Sequence, residues 1–123
     1  MRTLLINASP RGSRSNSLKL AEAFVRGLGE VELERVDLCD LRIEPCRGCF
    51  ACWNATPGTC CIPDDMARVI ELERAADLVV LSFPLYYFNV PGPLKTMIDR
   101  QLPTSLPFMA DDSAATGSGA HPL

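Results

Sequence analysis

The side chains with the most chemistry in this sequence are its cysteines. Five of the six lie between Cys46 and Cys61, and the sixth is Cys39. They read Cys46-Arg47-Gly48-Cys49-Phe50-Ala51-Cys52, with Cys60 and Cys61 after seven and eight intervening residues. C-x2-C-x2-C opens a bacterial ferredoxin run, in which thiolates are spaced to wrap three corners of an iron–sulfur cubane. On that reading Cys46, Cys49 and Cys52 are three ligands of a 4Fe-4S cluster and Cys60 is the fourth, although no short spacing rule places it. Zinc is a second reading, but zinc sites commonly use two separated pairs. The third is a set of reduced, partly buried thiols, or a pair that cycles with a disulfide. A secreted disulfide framework would spread its cysteines along the chain, whereas these are clustered.

A second chemical stretch lies near the start. The apolar run Leu4-Leu5-Ile6 leads into Asn7-Ala8-Ser9-Pro10-Arg11-Gly12-Ser13-Arg14-Ser15-Asn16-Ser17, and an amphipathic helix follows from Leu18. First-turn N–H groups lack partners within a helix, and the helix dipole favours negative charge there. Hydroxyls and an amide between Ser9 and Ser17, with Arg11 and Arg14, therefore read as a phosphate cradle. The plainer alternative is an ordinary connection with Ser15 or Asn16 as N-cap. There is no G-x-x-x-x-G-K-[ST], which excludes a P-loop, and no G-x-G-x-x-G, which weakens a dinucleotide site. A hydroxyl-rich loop after the first strand suits a terminal monophosphate such as that of FMN, which the strand order 2-1-3-4-5 places there.

The third stretch is aromatic: Pro84-Leu85-Tyr86-Tyr87-Phe88-Asn89 follows the apolar run Leu78–Leu81. Leu85, Tyr86, Tyr87, Phe88 and Asn89 are suited to line a flat flavin ring. A hydrophobic loop packed under the next helix, or in a dimer interface, explains them equally well when they are taken alone. Together the two loops favour a flavin, because both fall on the carboxyl edge of neighbouring strands, where ligands bind in open α/β sheets.

The elements that must position these loops follow from periodicity. Leu4–Ile6 predicts a central strand covered on both faces, and Leu78–Leu81 a second buried parallel strand. Val31–Leu38 alternates in part and predicts an edge strand, one face covered and one wet. A helix is expected over about Asn16–Leu28, with Leu18, Ala21, Val25 and Leu28 inward, Leu20 and Phe24 flanking, and Gly27 and Gly29 stopping it. Asp64-Asp65 caps a second helix running to about Ala76, with Met66, Val69 and Ile70 on one face. Pro93 opens a third, with Leu94, Met97 and Ile98 inward, Lys95, Asp99 and Arg100 outward, and Pro103 ending it. Residues 41–63 form a long insertion carrying the cysteines, of a length that is usually functional. Residues 1–103 thus form one domain, and the polar stretch 104–123, with the single histidine His121, is expected to be a mobile loop or tail.

Bulk properties narrow the function classes. At 123 residues the chain is at most one domain, and 47% hydrophobic residues exclude wholesale disorder. A net charge of −3 without a basic block argues against a nucleic-acid partner. No apolar run approaches the roughly 20 residues of a membrane helix. Met1-Arg2-Thr3 leads straight into a strand, so no signal peptide is expected, and a cytoplasmic location follows as the default.

Taken jointly, several motifs carry a resemblance. Ser9-Pro10-Arg11 with Ser15-Asn16-Ser17, the Cys46–Cys49–Cys52 run, Gly58-Thr59-Cys60 before Asp64-Asp65-Met66, and Pro84-Leu85-Tyr86 with Leu94-Lys95 and Asp99-Arg100 look like the flavodoxin-like NAD(P)H-dependent FMN reductases. Within that family the cysteine run is most similar to the iron–sulfur flavoproteins. The resemblance covers the chain to about Pro103. It implies a doubly wound parallel sheet of five strands, of which this sequence supplies three, so the expected sheet is truncated after strand 3 and helix 3. It implies that Ser9, Arg11, Ser15, Asn16 and Ser17 hold the FMN phosphate, that Pro84–Asn89 line the ring, and that Cys46, Cys49, Cys52 and Cys60 hold the cluster. It implies a homodimer or homotetramer with FMN close to a subunit interface. The function expected is an FMN-dependent oxidoreductase passing electrons from NAD(P)H to a small acceptor, a quinone or another flavin. The alternatives are an electron carrier that works with a ferredoxin-type partner, and an inactive truncated fragment.

Overall fold

The computed structural model describes residues 1–105. Three strands, β1 (Arg2–Asn7), β2 (Glu32–Asp37) and β3 (Leu78–Ser82), form one parallel sheet in the order β2-β1-β3. Among the described residues four α-helices accompany them: α1 (Asn16–Gly27), α2 (Ala51–Asn54), α3 (Met66–Ala75) and α4 (Gly92–Asp99). Three of these are the expected helices, and α2 is an additional short turn inside the cysteine insertion.

β1 is central because its three consecutive apolar residues bury both faces. Leu4 and Ile6 pack with Met66, Val69 and Ile70 of α3 and with Leu94 and Met97 of α4. Leu5, pointing the other way, meets Leu18 and Ala21 of α1 and is flanked by Val80. The register pairs Leu5 with Arg35 on one side and with Val80 on the other. α1 stops where Gly27 ends the helix and Gly29 takes φ +85°, a left-handed conformation open to glycine.

Four expectations need correction. β3 is not buried: Val79 and Leu81 are 38% and 43% exposed. They share a face with Leu4 and Ile6, but α3 and α4 lie over β1, and among the described residues no strand pairs beyond β3. β2 is an edge strand as expected, yet only Val36 is buried and Leu33 is exposed. Arg35 instead covers one face of it with ion pairs to Glu22 at 3.3 Å and Asp37 at 3.0 Å. Ile98 is 40% exposed, because α4 is rolled toward Met97 and Arg100. Arg100, expected outside, is only 2% exposed.

The insertion 41–63 is tied at its neck and at its tip. At the neck Arg42 N–H donates to Asp65 Oδ2 at 2.7 Å, and Glu44 N–H donates to Asp64 Oδ2 at 2.8 Å. At the tip the Trp53 indole N–H donates to the carbonyls of Leu102 at 2.9 Å and Ser105 at 2.8 Å. Asp64, not Asp65, caps α3 through Oδ1, which accepts from Met66 N–H at 3.1 Å. Thr104 closes a 3-10 turn, Leu102–Thr104, with its hydroxyl on the Gln101 carbonyl. The remainder of the expected mobile tail, His121 included, lies outside the described residues. No helix among the described residues is long and apolar enough to cross a membrane.

Candidate functional site

The hydroxyl-rich loop and the aromatic loop spring from paired residues. Asn7 and Ser82, the last residues of β1 and β3, are register partners, and Ala8 N–H donates to the Ser82 carbonyl at 2.8 Å. The loops that begin at Ser9 and Phe83 therefore leave the same carboxyl edge side by side.

Asn7 organises the first loop. Its Nδ2 donates to the Gly12 carbonyl at 3.0 Å and to Asp37 Oδ1 at 3.1 Å, and its Oδ1 accepts from Ser9 N–H at 3.3 Å. Gly12 holds φ +57°, which folds the loop back toward Cys39 and is costly for any other residue. Ser9 and Ser15 are buried. Ser9 Oγ accepts from Arg11 N–H at 3.2 Å, and Ser15 Oγ caps α1 by accepting from Leu18 N–H at 3.3 Å. The N-cap and phosphate readings of Ser15 are thus compatible: both hydroxyls accept backbone N–H groups and keep their own proton to donate. Asn16 and Ser17 contribute the free N–H groups of the first turn. Arg11 and Arg14 are exposed, and among the described residues neither forms an ion pair. Ser82 Oγ is buried at the same edge with no partner. Unspent hydroxyl, N–H and arginine donors in the loop before a helix N-terminus have the chemistry a phosphate group needs.

The second loop is a strained turn. Tyr86 and Asn89 bridge each other, with N–H to carbonyl distances of 2.9 and 3.1 Å. Tyr87 and Phe88 between them take φ +49° and +64°, positions that such tight turns usually give to Asn and Gly. Both rings are almost wholly solvent-facing, at 95% and 93% exposure, and they stand 5.8 Å apart. Leu85 and Asn89 are exposed too, while Pro84 is half-buried. The loop is a presented aromatic surface rather than an enclosed slot. Strain of this kind collects at ligand sites.

Cys46, Cys49, Cys52, Cys60 and Cys61 line one narrow cavity of about 20 Å³, together with Arg100. Cys39 stands apart, beside Asp40 and the Gly12 turn. Gly48 N–H donates to Cys46 Sγ at 3.4 Å and Ile62 N–H to Cys60 Sγ at 3.5 Å. Cys49 and Cys61 bring their sulfurs to 3.8 Å. The Ala51 N–H, the Cys61 thiol and Arg47 lower the Cys49 pKa, while hydrogen bonding and charge from Cys49 raise that of Cys61. Burial, with Cys60 nearby, raises that of Cys52. Among the described residues no three His, Cys, Asp or Glu groups converge as a preformed metal site. The donor set itself, soft thiols of which Cys46 and Cys60 already receive backbone N–H bonds, has the chemistry of iron–sulfur ligands.

Sequence reasoning gave no site role to Asn7, Ser82, Asp64 or Arg100, reading Asp64 as a helix cap and Arg100 as an outward residue. The signal for Asn7 was its position, the only polar residue in the strand after Thr3. Asp64 and Arg100 carried no signal to connect them.

A parallel sheet in the order β2-β1-β3, with hydroxyl, aromatic and thiol loops on or beside its carboxyl edge, defines a flavodoxin-like α/β protein. The chain belongs to the NADPH-dependent FMN reductase family, whose family model matches residues 1–112. An iron-sulfur flavoprotein of Archaeoglobus fulgidus is 40% identical over 103 residues, which cover 81% of this chain and 48% of that protein. The iron-sulfur flavoprotein of Methanosarcina thermophila is 33% identical over 99 residues, covering 79% and 50%. FMN-dependent NAD(P)H:quinone oxidoreductase 1 of Pseudomonas aeruginosa is 31% identical over 131 residues, covering 93% and 60%. The crystal structure of an FMN-dependent NADH-azoreductase from Bacillus anthracis, in complex with FMN, shares the fold with a TM-score of 0.60 at 23% identity, covering 80% of this chain and 54% of that one. The chain spans about half the length of the curated iron-sulfur flavoproteins it matches.

Proposed function

We propose that the chain binds FMN and works as an oxidoreductase, taking electrons from NAD(P)H and passing them to a small acceptor, a quinone or another flavin. One observation carries this reading: Asn7 and Ser82 are register partners, so the hydroxyl loop and the aromatic turn start next to each other. Ser9, Ser15 and the N–H groups of Asn16 and Ser17 would hold the phosphate, with Arg11 neutralising its charge. Pro84, Leu85, Tyr86, Tyr87, Phe88 and Asn89 would line the ring and keep water from one face of it. When bound, FMN supplies the hydride and electron chemistry. No acid–base side chain is required of the protein. The exposure of Tyr87 and Phe88 accords with a homodimer or homotetramer in which a second copy covers them. Reduced thiols in a tight cluster accord with the cytoplasm.

A second reading is favoured by the five thiols around one cavity. In it Cys46, Cys49, Cys52 and Cys60 hold a 4Fe-4S cluster, and the protein carries electrons to a protein partner of ferredoxin type.

An anaerobic visible spectrum of the purified chain, with iron and sulfide assays and NAD(P)H oxidation with and without added FMN, tests both. Flavin bands with NAD(P)H turnover support the first reading, and flavin with near-equal iron and sulfide supports the cluster. No turnover in FMN-loaded or FMN-supplemented protein removes the oxidoreductase. Absence of iron returns the cysteines to a thiol role.

A further inference from the structure

Arg100 ends α4 with its side chain buried, and its guanidinium is nearly used up. Nη1 donates to the Glu44 carbonyl at 2.8 Å and to Asp64 Oδ2 at 2.7 Å, and Nη2 donates to Asp64 Oδ1 at 3.0 Å. Nε is buried with no acceptor. A buried, unpaired N–H on a cation is costly, and such a group calls for a partner that completes it. The carboxylate of Asp64 is already engaged by Arg100, Glu44 N–H and Met66 N–H. Arg100 shares its cavity with the thiols of Cys46, Cys49, Cys52, Cys60 and Cys61, and the one carboxylate there, Asp99, is paired with Lys95.

We infer that Arg100 donates its Nε–H to sulfur of the cysteine-bound cluster, at or next to Cys60, and so sets the cluster's reduction potential. The inference rests on the cluster reading above. A buried cation with an N–H on sulfur favours the more negative, reduced cluster and raises its potential. The Asp64 pair fixes the guanidinium in place, and the Glu44 carbonyl pins it to the insertion that carries the other ligands.

Two measurements on the full, anaerobically reconstituted chain test this. In the first, the cluster's midpoint potential is read by an EPR-monitored redox titration for the native chain, Arg100→Lys, and the neutral pair Arg100→Gln with Asp64→Asn. The neutral pair leaves no unpaired buried charge. The expected result is iron and sulfide content unchanged and a potential lower by about 59 mV in the neutral pair, a tenfold shift for one electron. Arg100→Lys, which keeps the charge without the Nε–H, should fall between. An unchanged potential with full iron overturns the inference and leaves Arg100 a structural residue. In the second, Arg47→Lys, which removes the other arginine of the cavity and keeps Arg100 native, is labelled with 15N-arginine, and pulsed EPR of the reduced cluster looks for a coupled guanidinium nitrogen. A 15N coupling supports the contact even where an Arg100 variant fails to fold, and its absence overturns it. A native chain that loads no iron and sulfide removes the cluster reading, and this inference with it.

Discussion

Asp64 and Arg100, 36 residues apart in sequence, meet through two hydrogen bonds of 2.7 and 3.0 Å, with both side chains essentially inaccessible to solvent. The pair locks the neck of the cysteine insertion to the end of α4. Breaking a buried pair by removing one partner leaves the other charge uncompensated, at a cost of about 3–5 kcal/mol. Arg100→Met should therefore lower the urea midpoint by that equivalent, and more than Arg100→Met with Asp64→Leu does.

The same pair makes stability depend on acid. Burial alone would raise the Asp64 pKa, but the hydrogen bonds from Arg100, Glu44 N–H and Met66 N–H overcome it and hold the carboxyl at about 2, below its ordinary 3.8. A depressed carboxylate stabilises the fold above its unfolded pKa. That contribution, about 2 kcal/mol, is fully present at neutral pH and is lost as pH falls from about 4 through about 2. Urea unfolding of the native chain and Asp64→Asn across that range should show the two stability curves converging in acid. Parallel curves would separate Asp64 from the acid response.

Much of the fold was legible because it rests on local patterns. Leu4-Leu5-Ile6 could only be a strand covered on both faces, and the helix over Asn16–Gly27 announced its cap, stripe and glycine stop. The hydroxyl-rich loop was legible for the same reason: Ser9 and Ser15 sit beside a helix N-terminus by sequence alone. Arg100 was not. Helical periodicity placed it outside with Lys95 and Asp99, and its burial depends on Asp64 reaching it from another element. Val79 and Leu81 were misjudged in the opposite sense, since an apolar run reports what a strand is suited to bury and not what covers it. The thiols were legible as a cluster of donors, but their individual acidities depend on which N–H groups and neighbours the folded loop brings to each.

That local chemistry predicts an order of thiol reactivity in the cluster-free chain. Thiolate fraction and access govern alkylation. Cys49 is exposed and its pKa is lowered, first by the Ala51 N–H and then by the Cys61 thiol. Cys52 is buried, and burial raises its pKa. Iodoacetamide followed by peptide mass spectrometry should label Cys49 first and Cys52 late. Cys61→Ala should slow labelling at Cys49, because the thiol hydrogen bond that favours its thiolate is gone. Equal rates at all positions would mean that the loop does not hold this arrangement in solution.

Burial also sets where substitutions are felt. Leu5 is fully buried between α1 and the sheet, whereas Leu20 on the same helix is largely exposed. Leu5→Ala should cost about 2–5 kcal/mol. Leu20→Ala should stay within about 0.5 kcal/mol, as surface changes usually do. Thermal or urea unfolding of the two variants measures the difference directly.

The aromatic turn should trade stability against binding. Tyr87 and Phe88 both occupy left-handed backbone, yet they bury almost nothing. Left-handed conformation costs a residue with a Cβ roughly 1–2 kcal/mol, and an Asn-Gly pair relieves most of it in a turn of this hand. Tyr87→Asn with Phe88→Gly should therefore stabilise the chain by about 1 kcal/mol or more. The same change strips two rings from the surface proposed to line the flavin, so FMN affinity, followed by quenching of flavin fluorescence, should fall at least tenfold. Gain of stability with loss of affinity would mark the strain as retained for the cofactor. Gain of stability with unchanged affinity would take Tyr87 and Phe88 out of the flavin site and leave them to a protein surface.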